Sequence, residues 1–504
     1  MTTVTSLRFS FIFTISLIAL LCTSQGIQAQ DFTARVIDQK TATPIPFATI
    51  KLGQYSGVVT NEEGYFTLTN ETIARLSDSI RISSMGYEGK QLWLPTQKDT
   101  LIALAPATLA LKPVFLTNNP LTPEEIVEKV KQQLAVNYAD NGYTQKNIFF
   151  RQSDLNSMSK TAINFKKSTI EELDKELMDS IAGLIPKKTE YYRETVGTFY
   201  GNYRQQKLKV TKAAELYDKT KDISVDGLSE KLERIFEENV KPNSYLKIKS
   251  GIFGTKVQLD SAMAAQEESK EEVIKVERVT AEDFSNQIKN RISELYAQLF
   301  FNEDSEIDVL RKSNRYRFTL DSYTIIEDIP VYVVRFSPKG KKDFKGVMYV
   351  NTEDYAVMRL EFENVRRLRS FGLFGISYAH TVYRGKSIFS KDANGRYSPR
   401  YLELEDGNTF GIDRPLKVIE KNKFVKGRRK QNELSLGIDF QGGQLNKYEM
   451  VVFDTEAIDE ATYKDVNEAQ EVQPVYLTKY DPTFWDGYTI MEPNSAIQSF
   501  EVQQ

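Results

Sequence analysis

Residues 57–68 read GVVTNEEGYFTL, two short apolar-rich runs joined by Thr60-Asn61-Glu62-Glu63-Gly64. The pattern predicts a β-hairpin. Gly64 can take the left-handed conformation that closes a four- or five-residue turn, and Asn61 can cap it with its own side chain. Outward from this stretch, FTARVID (32–38) reads as a strand and TATPIPFATIKL (41–52) as a turn and a second strand. SIRISSMGYEG (79–89) and KQLWL (90–94) alternate as half-buried strands do. Several short strands with regular turn signals predict a small β-sandwich over residues 30–107.

In this order and spacing, RVIDQKTATPIPFATIKL, GVVTNEEGYFTL and IRISSMGYEGKQLWL resemble the carboxypeptidase D regulatory-like domain over about residues 31–107. The resemblance implies a transthyretin-like fold. It also implies a setting: this module is common at the N-termini of secreted and outer-membrane proteins of the Bacteroidota, TonB-dependent transporters among them. Asn61 stands where the family often has Asp, and both suit a turn. The likeness is to the regulatory sandwich that accompanies the peptidases, not to their catalytic domain.

Ahead of the module, Arg8 precedes the apolar run FSFIFTISLIALL (9–21), and small and polar residues follow to Ala29. The order predicts a secretory signal peptide over residues 1–29, because the run is shorter than the ~18 residues of a membrane span. An uncleaved anchor and a lipoprotein acylated on Cys22 are the alternatives; Leu21 is large for the residue before a lipidated cysteine. Removing residues 1–29 removes Arg8 and no acid, so the formal net charge goes from −3 to −4. So mild a balance gives no reason to expect nucleic acid. Cys22 is the sole cysteine, so a chain cleaved after Ala29 has no disulfide and no thiolate metal site.

Residues 108–120 read as a linker. LTPEEIVEKVKQQLAVNY (121–138) opens with a capping box, Thr122 with Glu125, and Pro123 at the first helical position; Ile126, Val130 and Leu134 share a face. A mixed α/β middle region is expected over 121–310. It holds a helix near 168–184, a polar excursion at 264–273, and a helix after Thr280 with Phe284, Ile288, Ile292, Leu295 and Leu299 on one stripe. From 311 to 460 the alternation becomes β again, and consecutive strands predict one curved antiparallel sheet. Its sequence style resembles the open half-barrels of periplasmic lipoprotein carriers. Residues 461–504 read as an irregular tail that Tyr476, Phe484 and Trp485 could dock. The expected fold is therefore α+β and multidomain.

Chemistry-bearing constellations are scarce. His380 is the sole histidine, in the strand-like SYAHTVY, which leaves no ligand set for a zinc peptidase and no histidine triad. The acidic clusters NEDSEID (302–308) and ELEDGN (403–408) are expected to be solvated turns. No cofactor and no catalytic or metal-binding residue is assigned. Two basic stretches stand beside aromatics: Arg366, Arg367 and Arg369 before Phe371, Leu373 and Phe374, and KFVKGRRK (423–430). Such pairs suit a membrane surface or an acidic partner; the alternative is a strand pair with its aromatics packed inside. The expected function is that of a non-catalytic, secreted protein at the outer membrane, its sandwich a docking module and its curved sheet holding a protein partner or an apolar, lipid-like ligand. The alternatives are a carboxylate-dependent hydrolase of envelope polymers or a transport component of the outer membrane.

Overall fold

The computed structural model describes residues 31–107, 121–138, 142–221, 226–258 and 280–502, apart from positions 54, 77–78, 95–96, 98, 242, 393–394, 427–428 and 469–470. The signal sequence, the linker, the 264–273 stretch and Arg428 lie outside the described residues.

The N-terminal module holds strands β1 (Phe32–Asp38), β2 (Thr49–Lys51), β3 (Gly57–Val59), β4 (Tyr65–Leu68), β5 (Ile80–Ser83), β6 (Lys90–Leu92) and β7 (Leu101–Leu104), with a short helix α1 (Asn70–Arg75). They form two sheets, ordered β4-β1-β7 and β3-β2-β5-β6. GVVTNEEGYFTL is thus not a hairpin: its two strands pair in different sheets, and its turn carries the chain from one layer to the other. Buried Thr60 makes that crossing, its hydroxyl accepting from Ala48 N and donating to Ile45 O, both at 2.9 Å. Asn61 Oδ1 accepts from Glu63 N and Tyr65 N at 2.9 Å, and Gly64 has φ 81 with Val36 O only 2.6 Å from where a Cβ would stand. The turn chemistry is as expected, but it serves a layer change.

The remaining strands are β8 (Tyr143–Ser168), β9 (Lys188–Gly201), β10 (Gln206–Tyr217), β11 (Ser244–Ser250), β12 (Phe253–Gln258), β13 (Tyr316–Ile326), β14 (Ile329–Pro338), β15 (Phe344–Asn351), β16 (Val357–Asn364), β17 (Arg369–Leu373), β18 (Ile376–Lys391), β19 (Tyr397–Asn422), β20 (Lys430–Ile458) and β21 (Val475–Leu477). All belong to one sheet with the main order β13-β14-β15-β16-β18-β19-β20-β8-β9-β10-β21. The expected boundary at residue 310 therefore cuts through a single sheet. The middle region supplies β8, β9 and β10, and β8 alone runs 26 residues. Its polar sequence hides this length, because β8 is paired on both edges with β20 and β9 while much of its surface stays wet. The helix expected over 168–184 is confined to α3 (Lys175–Gly183), since β8 reaches Ser168.

The other helices are α2 (Pro123–Asn137), α4 (Asp226–Asn239), α5 (Ala281–Ala297), α6 (Glu460–Asp465) and α7 (Ser495–Gln498). Both α2 and α5 start on closed capping boxes, at Thr122 with Glu125 and Thr280 with Asp283. Their apolar stripes, Ile126 and Val130 on one and Phe284, Ile288 and Ile292 on the other, bury against one face of the sheet with Leu402, Leu404, Tyr448 and Met450. Side chains alternate across a strand, so Tyr401 and Val451 point to the opposite face. There they share a core with the sandwich residues Val36, Phe47, Ile50 and Phe66. The sandwich is thus not a free-standing module; its core continues into the sheet.

The C-terminal residues are ordered by the same junction. β21 pairs parallel with β10, and Trp485 is buried against Phe149 and donates its indole N–H to Glu194 Oε2 at 3.1 Å. Asn61 Nδ2 donates to Pro493 O at 3.0 Å, and Ser495 N to Glu63 Oε1 at 2.9 Å. Arg151 lies beneath, 2 % exposed, bonded through Nε to Glu194 Oε1 and through Nη2 to Met491 O, both at 2.7 Å. Replacing Arg151 with Met strands Glu194 without its buried counter-charge and should cost about 3–5 kcal/mol. Adding Glu194→Gln should recover a large part of it. Chemical denaturation of the single and double variants measures both; a single variant of parental stability would contradict the assignment.

Candidate functional site

β19 links the apolar features of the helix face. Its even-numbered residues Phe410, Ile412, Arg414, Leu416, Val418 and Glu420 lie on that face in sequence. At the far end α3 and α4 stand over the strands and enclose a cavity of about 250 Å³. Ile170, Leu173 and Met178 line one side, Leu232, Ile235 and Phe236 the next, and Leu246, Val418 and Leu434 the floor. Its polar members are few: buried Glu420 accepts from Lys241 N at 2.9 Å and Asn432 Nδ2 at 2.8 Å. Glu433 is 5 % exposed and paired with Lys417 at 2.6 Å.

From the cavity an apolar stripe continues along the same face. Cross-strand neighbours place Leu373, Ile376, Ile412 and Phe440 in one row and Phe371, Tyr378 and Phe410 in the next. Gly442 keeps the second row close: a Cβ there would lie 2.7 Å from Met158 Sδ and 3.0 Å from the Phe410 ring. Beyond the stripe the face turns polar, with Asp154, Asn156, Asn408, Gln444 and Asn446 at successive register positions. Asp154 Oδ2 accepts from Gln152 Nε2 at 2.7 Å, and its Oδ1 has no hydrogen-bond partner. Burial pushes the Asp154 carboxyl above its ordinary range, against the pull of Arg193 and Arg291.

The basic–aromatic stretch of 366–374 falls on this stripe. It is a strand pair, β17 with β18, yet its aromatics are not packed inside: Phe371 is 57 % and Phe374 55 % exposed. Arg366 pairs with Asp343 and Arg369 with Glu306, both at 2.7 Å, and Arg367 is exposed without a carboxylate partner among the described residues. Phe374 and Gly375 form the two-residue turn with φ 51 and 76, the primed geometry that suits a hairpin. A bulky residue at positive φ is strained. Arg414 holds it there, donating to Phe374 O from one side and to Ser250 O and Oγ from the other. Phe253 packs edge-on against Phe374 at 5.7 Å. Sequence reading missed Ile252 and Phe253, and it missed the cavity. The available signals were the apolar pair of GIFG and the alternation of Leu416 and Val418.

Of the acidic clusters, NEDSEID lies in a run of turns with Glu303, Asp304 and Glu306 exposed, as expected, whereas ELEDGN is not a solvated turn. ELEDGN lies within β19, where Glu405 pairs with Arg384 at 2.6 Å and Asp406 Oδ1 lies 3.0 Å from His380 Nε2. In NEDSEID, Asp308 accepts from Tyr316 at 2.6 Å and pairs with Lys342, and Glu306 holds Arg369. On the sandwich face Glu403 and Glu449 flank the Tyr401 hydroxyl at 2.9 and 3.0 Å, and Lys447 reaches both and Glu62. Burial alone would raise Glu403; Lys447 and Lys386 more than offset it and hold the carboxyl below its ordinary range. Among the described residues no group of three or more metal-ligating side chains converges, and no helix is long and apolar enough to cross a membrane.

Residues 33–116 match the CarboxypepD_reg-like domain. The matched family is a regulatory-like domain, in agreement with the sandwich seen here. No curated protein matches the chain. Among solved structures, a putative outer membrane lipoprotein-sorting protein domain from Vibrio parahaemolyticus is 9% identical, covering 68% of this chain and 97% of its own, with a TM-score of 0.19. The LolA superfamily protein NE2245 from Nitrosomonas europaea is 9% identical over 67% of this chain and 94% of its own, TM-score 0.16. The MucA/MucB complex of Pseudomonas aeruginosa contributes a chain 7% identical over 66% and 98%, TM-score 0.14. Superpositions this slight assign neither fold nor function.

Asp154 yields a test of the polar band. A carboxyl raised by burial favours the folded state at low pH and loses that contribution as pH rises through its folded pKa. Asp154→Asn should therefore raise the unfolding midpoint at neutral pH, with the gain shrinking below the ordinary carboxylate range. Thermal scans across that range measure it; a destabilised variant at neutral pH would show that the charge is needed.

Proposed function

We propose that this protein is a non-catalytic, exported binding protein of the cell envelope, holding a lipid-like apolar ligand on the helix face of its long sheet. The observation that carries the reading is the cavity between α3, α4 and the strands β11, β19 and β20. At about 250 Å³ it approaches the ~300 Å³ at which small-molecule sites begin. Its lining is almost wholly aliphatic and aromatic, so it favours hydrocarbon over water. The stripe of Ile412, Phe440 and Phe410 extends the apolar surface beyond the cavity mouth, and the polar band suits the headgroup of an amphiphile. The carboxypeptidase regulatory-like sandwich and the signal-like N-terminus both favour export and an envelope setting, at the periplasmic side of the outer membrane. The sandwich serves as the sheet's cover on the opposite face.

The test is fluorescence titration of the purified full chain with an environment-sensitive long-chain fatty acid. Saturable enhancement is expected. Met178→Trp fills the cavity and should abolish the enhancement, while stability changes by no more than the ~1–3 kcal/mol of an overpacked site. Undiminished binding by the folded variant would remove the cavity from the function.

A further inference from the structure

Three stretches of the chain carry cations, exposed apolar side chains and no acid: 244–258 with Lys247, Lys249 and Lys256; 365–377 with Arg366, Arg367 and Arg369; and 421–432 with Lys421, Lys423, Lys426, Arg429 and Lys430 among its described residues. In a chain of net charge −3, eleven described cations stand in stretches that hold no carboxylate of their own; Arg366, Arg369 and Lys430 are met by Asp343, Glu306 and Glu433 from outside them. The fold brings the three together. β11 and β18 pair with the same edge of β19, β11 at residues 417–422 and β18 up to 412, so their hairpins meet head to head at Arg414. The third stretch is the β19–β20 turn at the end of that run, tied to β11 by Lys423 N donating to Asn243 O at 2.9 Å. From Ile412 to Phe424 the strip follows β19 for roughly 40 Å at about 3.3 Å per residue.

Each hairpin shows large apolar side chains to solvent: Ile252 is 79 %, Leu373 63 % and Phe424 77 % exposed. Contiguous exposed apolar surface marks an interaction site. Strained Phe374, braced by Arg414 and Phe253, shows that part of the fold is spent on presenting this edge rather than burying it. Among the described residues Lys247, Lys249 and Lys256 have no carboxylate partner. The register puts Phe371 and Leu373 on the helix face and Lys247, Lys249 and Lys256 on the other, so the edge carries apolar side chains and cations on its two sides. Such an edge matches the headgroup boundary of an anionic bilayer, where apolar tips enter the interface and cations meet phosphate.

We infer that this cationic, apolar edge of β19 is a membrane-docking surface that seats the protein on anionic phospholipid. It lies beside the cavity, so a ligand leaving or entering the helix face would do so next to the bilayer. This last point rests on the proposed ligand function; the docking surface itself does not.

The test is co-sedimentation of the purified full chain with phosphatidylcholine vesicles, with and without phosphatidylglycerol. Pelleting is expected with the anionic vesicles and should fall as salt is raised. Ile252→Ser, Phe371→Ser and Phe424→Ser combined should weaken it by at least about tenfold with an unchanged unfolding midpoint. Lys249→Glu, Lys256→Glu and Lys426→Glu combined, all at exposed positions, should abolish the preference for anionic vesicles and decides the matter if the first variant is unstable. Absence of pelleting, equal pelleting with neutral vesicles, or variants that bind like the parent would overturn the inference. So would a dimer, seen by size-exclusion chromatography, that the serine variant dissolves: the edge would then serve a second copy of the chain. Met178→Trp should leave vesicle binding intact, so failure of the ligand reading and failure of the docking reading are separable.

Discussion

The guanidinium of Arg151 is the point on which the sandwich, the sheet and the C-terminal segment converge. It sits on β8 with almost no exposure, its charge met by Glu194 on β9 and, at 3.8 Å, by Glu449 on β20. Its remaining donors reach the carbonyls of Met491 and Glu492. A buried charge is tolerated only when every donor finds a partner. Arg151 therefore requires β8, β9 and β20 to be in register and the C-terminal segment to lie across them. Trp485 shares Glu194, and Pro493, two residues beyond Met491, receives the bond from Asn61 of the sandwich. The ion pair thus holds the C-terminal segment on the sheet, and Asn61 joins that segment to the first module.

A sheet of this width has two faces to cover, and it covers them by different means. The sandwich, through Phe47 packed tilted against Tyr401 and Lys447 bonded to Glu62, takes one face. On the other, α2 and α5 bury one end, α3 and α4 roof the opposite end, and the ground between is left partly open. Both the cavity and the exposed stripe result from that incomplete roof. Carboxylates that the sequence leaves free for chemistry are mostly consumed by the covering: Glu403, Glu449 and Glu194 neutralise the cations that the strands bring inside. This supports a binding function over a hydrolytic one.

The basic–aromatic stretch at 366–374 shows how far local reading reaches. Its cations and aromatics are plain in the sequence, and so is the turn potential of Gly375. Which side of the strand pair would be covered is not, because that depends on whether a helix lies above it. The structure leaves it open and adds one partner from distant sequence, the 244–258 hairpin. Ile252 and Phe253 are unremarkable until Arg414 ties their hairpin to Phe374.

The regulatory-like sandwich was legible through its resemblance, in the order and spacing of its segments; the turn at Asn61 and Gly64, the capping boxes at Thr122 and Thr280 and the apolar stripe of α5 were set by neighbours in sequence. Each depends on contacts within a few residues, where turn and cap chemistry is strong enough to decide conformation. The tertiary structure alone decided the partners. It split the strands of GVVTNEEGYFTL between two sheets, drew the polar run 143–168 into one long strand, and joined the middle region to the C-terminal half. Strand pairing is non-local, and β8, apolar at Ile148, Phe149 and Phe150 but mostly polar beyond them, carries little local signal of its full length. Its length is imposed by β9 and β20, whose backbone groups it must satisfy.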